Sequence, residues 1–166
     1  RTLWLDPMAL DPARASAKVT RDVAVQLAAL ARSLEAAGHS PEKSAAFLTR
    51  CLFSMFAEDV GLLPKNDAGE GAFVGLLQRW RDDPATLQKL LAVLWTDMDR
   101  GGFSAALARD VLRFNGKLFK GWQAADFVLP LTRDQIDALL LAAMSNWREV
   151  EPAIFGTLLE WALDPA

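Results

Sequence analysis

Apolar residues recur along most of this chain at the three- and four-residue intervals of an amphipathic helix. The first such segment is predicted over residues 20–37, where Gly38 can end it in the left-handed conformation. The second begins with Ser40 as N-cap and Pro41 at the first helical position. Its apolar residues cover most of the helix circumference, which predicts a central, buried helix: Phe47, Leu48, Cys51, Leu52, Phe53, Met55 and Phe56.

Later segments follow the same pattern. A short helix is predicted over residues 73–80, and a longer one is predicted to begin after Asp83. Two more helices are predicted to begin at Thr132 and at Pro152. Residues 1–18 lack a clear period and are predicted to form an irregular arm. The fold class is therefore all-α, a compact array of about six helices with one irregular insertion near residues 100–130 and no convincing alternating strands.

Composition limits the function classes. The length of 166 residues favours one domain, which we place at residues 19–166. A net charge of −3 excludes a global attraction to nucleic acid, so any DNA contact needs a local patch. No apolar run approaches the ~20 residues that span a bilayer, and the single cysteine cannot form an internal disulfide. These features fit a cytoplasmic protein without membrane contact.

Glu58 and Asp59 are adjacent carboxylates at the end of the second predicted helix, where the helix dipole disfavours them. One interpretation is a general acid/base pair or a metal site in a free-standing small enzyme. Neighbouring helical side chains diverge by about 100°, however, so the two do not share a site. We favour a structural role, in which one carboxylate pairs with Arg50 or accepts hydrogen bonds from loop N–H groups.

Two other reactive residue types are isolated. His39 is the only histidine and follows a helix-ending glycine, so it is predicted to be a loop residue. Cys51 has apolar helical neighbours and is predicted to pack in the core. The sequence therefore predicts no catalytic, cofactor-binding or metal-ligating residue in this chain.

The segment from residue 100 to 122 is locally basic, with aromatic residues interleaved among the charges. One interpretation is a surface that contacts DNA phosphates without reading bases. The alternative, which we favour for so modest an excess of charge, is a solvated surface with its aromatic rings in the core. The candidate phosphate-contacting residues are Arg109, Arg113, Lys117 and Lys120.

The last predicted helix is apolar almost to the final residue, and residue 1 is Arg. We interpret the chain as a fragment of a longer protein whose terminal helix packs against a further domain. The candidate interdomain residues are Phe155, Leu159, Trp161 and Leu163. An alternative is a free-standing helical protein-interaction module that exposes the same apolar surface.

An ordered set of motifs adds a family resemblance. The stretches FLTRCLFSMFAEDVGLLP, GGFSAAL, LRFNGKLF, LPLT and WREVEPAIFGTLLEWALDP occur in this order between residues 47 and 165. Together they resemble the helical spacer region of MmeI-like class I DNA methyltransferases, which belong to type II restriction–modification and phage-defence systems. The resemblance covers residues 15–165. Two positions depart from it: Trp161 stands where relatives often carry a basic residue, and Lys117 where they often carry glycine.

The resemblance implies a non-catalytic spacer, which precedes an adenine-N6 methyltransferase domain in the parent protein and positions it. It implies S-adenosylmethionine as the cofactor of that parent and none in this fragment. It implies the methyltransferase domain of the same chain and, through the full-length protein, double-stranded DNA as partners. No catalytic residue is carried over, because the matching motifs lie outside this sequence.

Overall fold

The computed structural model describes residues 12–65, 69–104, 107, 109–111 and 128–145, with side chains from residue 18 onward. These residues form five helices and one two-stranded antiparallel sheet, so the predicted all-α class is confirmed. The sixth predicted helix, from Pro152, lies outside the described residues. The elements are α1 (Pro12–Ala36), α2 (Pro41–Asp59), α3 (Ala72–Arg79), α4 (Pro84–Arg100), β1 (Gly102–Ser104), β2 (Arg109–Val111) and α5 (Arg133–Ala143).

Side-chain caps fix the starts of three helices where the sequence predicts them. The Ser40 hydroxyl accepts a hydrogen bond from the backbone N–H of Lys43 at 3.2 Å and starts α2. Asp83 caps α4 in the same way. Thr132 and Gln135 form a reciprocal capping box at α5, because each side chain accepts from the other residue's backbone N–H.

Two features differ from the prediction. Helix α1 begins at Pro12 rather than at residue 20, so part of the predicted arm is helical. The added segment PARASAK is rich in alanine, the residue with the highest helix propensity, although it lacks a strong apolar period. The predicted insertion contains the hairpin of β1 and β2, whose three-residue strands are too short to show alternation in sequence.

The core lies between the helices and is centred on α2. Helix α1 packs against α2 and α5, while α3 packs against α2, α4 and α5. Trp95 of α4 is fully buried, and its ring meets that of Phe47 edge-on with centroids 5.6 Å apart. Its indole Nε1 donates a buried hydrogen bond of 2.9 Å to the Ser54 hydroxyl, which itself donates to the Arg50 carbonyl. The largest buried indole therefore has its polar atom satisfied, as burial requires.

Polar contacts tie α5 to the rest of the array. The Gln135 side-chain amide donates 2.9 Å to the Ser33 hydroxyl of α1. The Arg81 guanidinium pairs with the Asp137 carboxylate, with Nε 2.8 Å from Oδ1 and Nη2 3.2 Å from Oδ2. These contacts join the first helix, the turn between α3 and α4, and the last described helix into one body.

Candidate functional site

The Glu58 carboxylate joins the end of α2 to the start of α3. Its Oε2 accepts hydrogen bonds from the backbone N–H groups of Phe73 at 2.6 Å and Val74 at 3.2 Å. Gly71, the N-cap residue of α3, has no side chain to perform this task. Glu58 therefore supplies from fifteen residues away the cap that α3 lacks locally, and its charge meets the positive end of the α3 dipole.

Glycine at position 71 makes room for this carboxylate. A Cβ atom there would lie 2.7 Å from Oε2 of Glu58, closer than non-bonded atoms approach. The backbone of Gly71 is otherwise ordinary, with φ −58° and ψ 146°, which any residue can adopt. The glycine therefore leaves space for the carboxylate, which would have to shift to admit a Cβ atom, and is not needed for backbone conformation.

Burial shapes the electrostatics of this cap. Desolvation raises the pKa of Glu58 from 4.5 to about 7, although the two backbone N–H groups act in the opposite direction. The neighbouring charge of Asp59 adds to the rise. Glu58 thus titrates near neutral pH in the folded chain, a property found both at catalytic sites and in buried structural carboxylates.

The prediction that one of the two carboxylates accepts hydrogen bonds from backbone N–H groups is confirmed for Glu58. Glu58 binds backbone N–H groups, and these lie in the first turn of α3 rather than in the preceding loop. Within the described part of the chain, no group of three or more His, Cys, Asp or Glu residues is placed to hold a metal ion. The Glu58 contacts therefore dock the start of α3 on the end of α2.

The two isolated residues lie where the sequence predicts. Cys51 is fully buried in α2, and its burial raises the pKa of the thiol far above its usual range, so it packs as an apolar residue. His39 lies in the turn between α1 and α2, and its backbone N–H donates to the Leu34 carbonyl at 3.2 Å. Neither residue belongs to a group of His, Cys, Asp or Glu side chains that could hold a metal ion among the described residues.

The predicted phosphate-contacting set is only partly visible. Arg109 is exposed on β2, directly opposite Ser104 of β1. The other three candidates, Arg113, Lys117 and Lys120, lie outside the described residues, as do the candidate interdomain residues Phe155, Leu159, Trp161 and Leu163. The structure therefore leaves both predicted surfaces as predictions.

Helix α4 ends in a chain reversal that sets the position of the hairpin. Gly101 and Gly102 have positive φ angles of 76° and 96°, a region that favours glycine. They direct β1 back against α4 and leave the Phe103 side chain 66% exposed. The prediction that the aromatic rings of residues 100–122 lie in the core is therefore wrong for Phe103.

The central part of the chain matches a model of a known protein family. Residues 42–119 match the family model described as MmeI, helicase spacer domain. The match agrees with the resemblance of this segment to the helical spacer of MmeI-like proteins. The match runs from the first turn of α2 through α3, α4 and the hairpin, and it includes the Glu58 cap with both of its N–H partners. No curated protein and no solved structure matches the chain.

None of the described helices is long and apolar enough to cross a membrane. A spacer domain implies a parent protein with further domains, which agrees with the expectation that this chain is part of a larger assembly.

Proposed function

We propose that this MmeI-type spacer holds an adjoining DNA methyltransferase domain at a fixed position in a larger protein. The observation that carries the proposal is the family match across the central helices and the hairpin. The docking contacts support a rigid body, because Glu58 fixes α3 on α2 while Trp95 and Ser54 join α4 to α2. A spacer needs this stiffness, since a loose connection would let the flanking domains reorient.

The parent protein in this proposal is an adenine-N6 methyltransferase that uses S-adenosylmethionine and acts on double-stranded DNA in the cytoplasm. The support is the ordered set of motifs that resembles MmeI-like methyltransferases. The full reading frame of the parent gene provides the first test. An N-P-P-Y motif encoded after this segment is expected, and a reading frame with no methyltransferase motif would remove the methyltransferase part of the proposal.

Stiffness is tested by measuring distances in the full-length parent protein. Two labels, one on each domain that flanks the spacer, should give a narrow distance distribution in pulsed electron resonance. Leu52→Ala creates a cavity in the spacer core and should broaden that distribution, whereas Val25→Ala on the exposed face of α1 should not. An equally broad distribution in all three proteins would refute the rigid-spacer role.

A DNA-backbone contact is the finer part of the proposal. It is supported by the exposed Arg109 on β2 and by the basic sequence that follows. In a fluorescence titration with duplex DNA, the 166-residue chain should bind weakly, and binding should fall with added salt. Replacing both Arg113 and Lys117 by alanine should weaken it. Absent or salt-insensitive binding would remove the DNA contact and leave the spacer role intact.

A further inference from the structure

The outward face of the hairpin carries an aromatic ring beside a carboxylate. Phe103 and Asp110 are directly opposite each other in the antiparallel register of β1 and β2. Directly opposed residues project to the same face of a sheet, with Cβ atoms about 5 Å apart. Both side chains are exposed, and Phe103 at 66% is the most exposed aromatic residue in the described part of the chain.

The other face of the hairpin is turned inward. Ser104 and Val111 are buried, and they alternate along their strands with Phe103 and Asp110. The hairpin is thus held by one face, and the ring–carboxylate pair points away from the core. Asp110 is exposed, and the ion pairs seen between described residues do not include it.

We propose that this face receives an arginine side chain from a domain that adjoins the spacer in the parent protein. A guanidinium group can stack on the face of the Phe103 ring while its N–H groups donate to the Asp110 carboxylate. Both interactions favour a planar cation, which is why arginine suits the pair better than lysine. The inference rests on the proposed spacer function, since it needs an adjoining domain.

Charge complementarity selects this occupant over DNA. A phosphate group near Asp110 meets a negative charge, so this face repels a nucleic-acid backbone. An apolar partner would bury the Asp110 carboxylate without a counter-charge, which is unfavourable. A guanidinium group carries the positive charge that complements Asp110, and it can also stack on the Phe103 ring.

The test uses the 166-residue chain and N-acetyl-arginine amide as the probe, with the NMR signals of Phe103 and Asp110 as the readout. Saturable shifts with a millimolar dissociation constant are expected. N-acetyl-citrulline amide has nearly the same shape without the charge and should cause none. Phe103→Leu and Asp110→Asn should each weaken binding about three-fold or more, as loss of an exposed cation–π contact or ion pair implies.

Val25→Ala is the matched control, because Val25 is as exposed as Phe103 but lies on α1. It should leave binding unchanged. Asp110→Asn keeps the strand and its backbone pairing, so the test remains decisive even where Phe103→Leu disturbs the hairpin. Equal shifts with the citrulline probe would overturn the inference. Shifts that depend on protein concentration would assign the face to a second copy and overturn it as well. Each of these failures leaves the spacer function standing, because that function is tested in the parent protein.

Discussion

Replacing Glu58 by glutamine should change how the stability of the fold depends on pH. The wild-type carboxyl has a pKa near 7 in the folded chain and an ordinary value of 4.5 when exposed. Between these two values the folded state keeps a proton that the unfolded state has released. Wild-type stability therefore falls as pH rises from about 4.5 to about 7 and then levels off. Glutamine carries no titrating proton, so this contribution disappears in Glu58→Gln.

The size of the effect follows from the pKa difference. At about 1.4 kcal/mol per pKa unit, the rise from 4.5 to about 7 corresponds to about 3 kcal/mol in the free energy of unfolding. The two N–H bonds to Phe73 and Val74 are retained by the carboxylate, so the cap persists while its charge costs desolvation energy. We therefore expect the free energy of unfolding to decrease gradually as the pH rises.

Urea unfolding of both proteins between pH 5 and pH 8.5 measures this contribution. The wild type should lose about 2–3 kcal/mol relative to Glu58→Gln across that range. Glu42→Gln is the matched control, because Glu42 is an exposed carboxylate in the first turn of the same helix. A difference in the free energy of unfolding between the wild type and Glu58→Gln that stays constant with pH would refute the reasoning. An increase in wild-type stability with pH would show that the N–H groups outweigh burial.

Three further substitutions test the packing. Gly71→Ala should destabilise the fold in thermal melts, because the added Cβ clashes with the Glu58 carboxylate. The same substitution should be nearly neutral in a Glu58→Ala background, and equal costs in both backgrounds would exclude the clash. Ser54→Ala should cost about 1–3 kcal/mol in urea unfolding, because it leaves the buried Trp95 N–H without an acceptor, and a cost near zero would contradict this. Thr132→Ala should cost about 1 kcal/mol by removing half of the α5 capping box, and Thr132→Ser should recover most of it.

Local signals in the sequence predicted the five described helices, apart from the start of α1, but did not predict how the helices dock. Ser40, Asp83 and Thr132 each act within four residues of their own position, so a reader of the sequence can assign them. Glu58 acts on N–H groups fifteen and sixteen residues away, and its spacing carries no periodic signal. The sequence favoured a structural role for this carboxylate but could not name its partners.

The exposure of Phe103 could not be predicted from local sequence signals either. Aromatic residues are usually buried, and the assignment of this one to the core followed that average. Its outward direction depends on the strand register and on the reversal at Gly101 and Gly102, which are tertiary features. The family resemblance, in contrast, was recognisable from the sequence because it depends on an ordered set of motifs, and the match over residues 42–119 confirms it.

The two partner proposals involve adjacent hairpin residues of opposite charge. Arg109 and Asp110 are consecutive residues of β2, so their side chains leave the strand on opposite faces. Because the charges differ in sign, one substitution cannot weaken both proposed contacts by the same mechanism. Arg109→Ala should weaken a salt-dependent DNA contact, whereas Asp110→Asn should weaken arginine binding and leave the DNA contact equal or stronger.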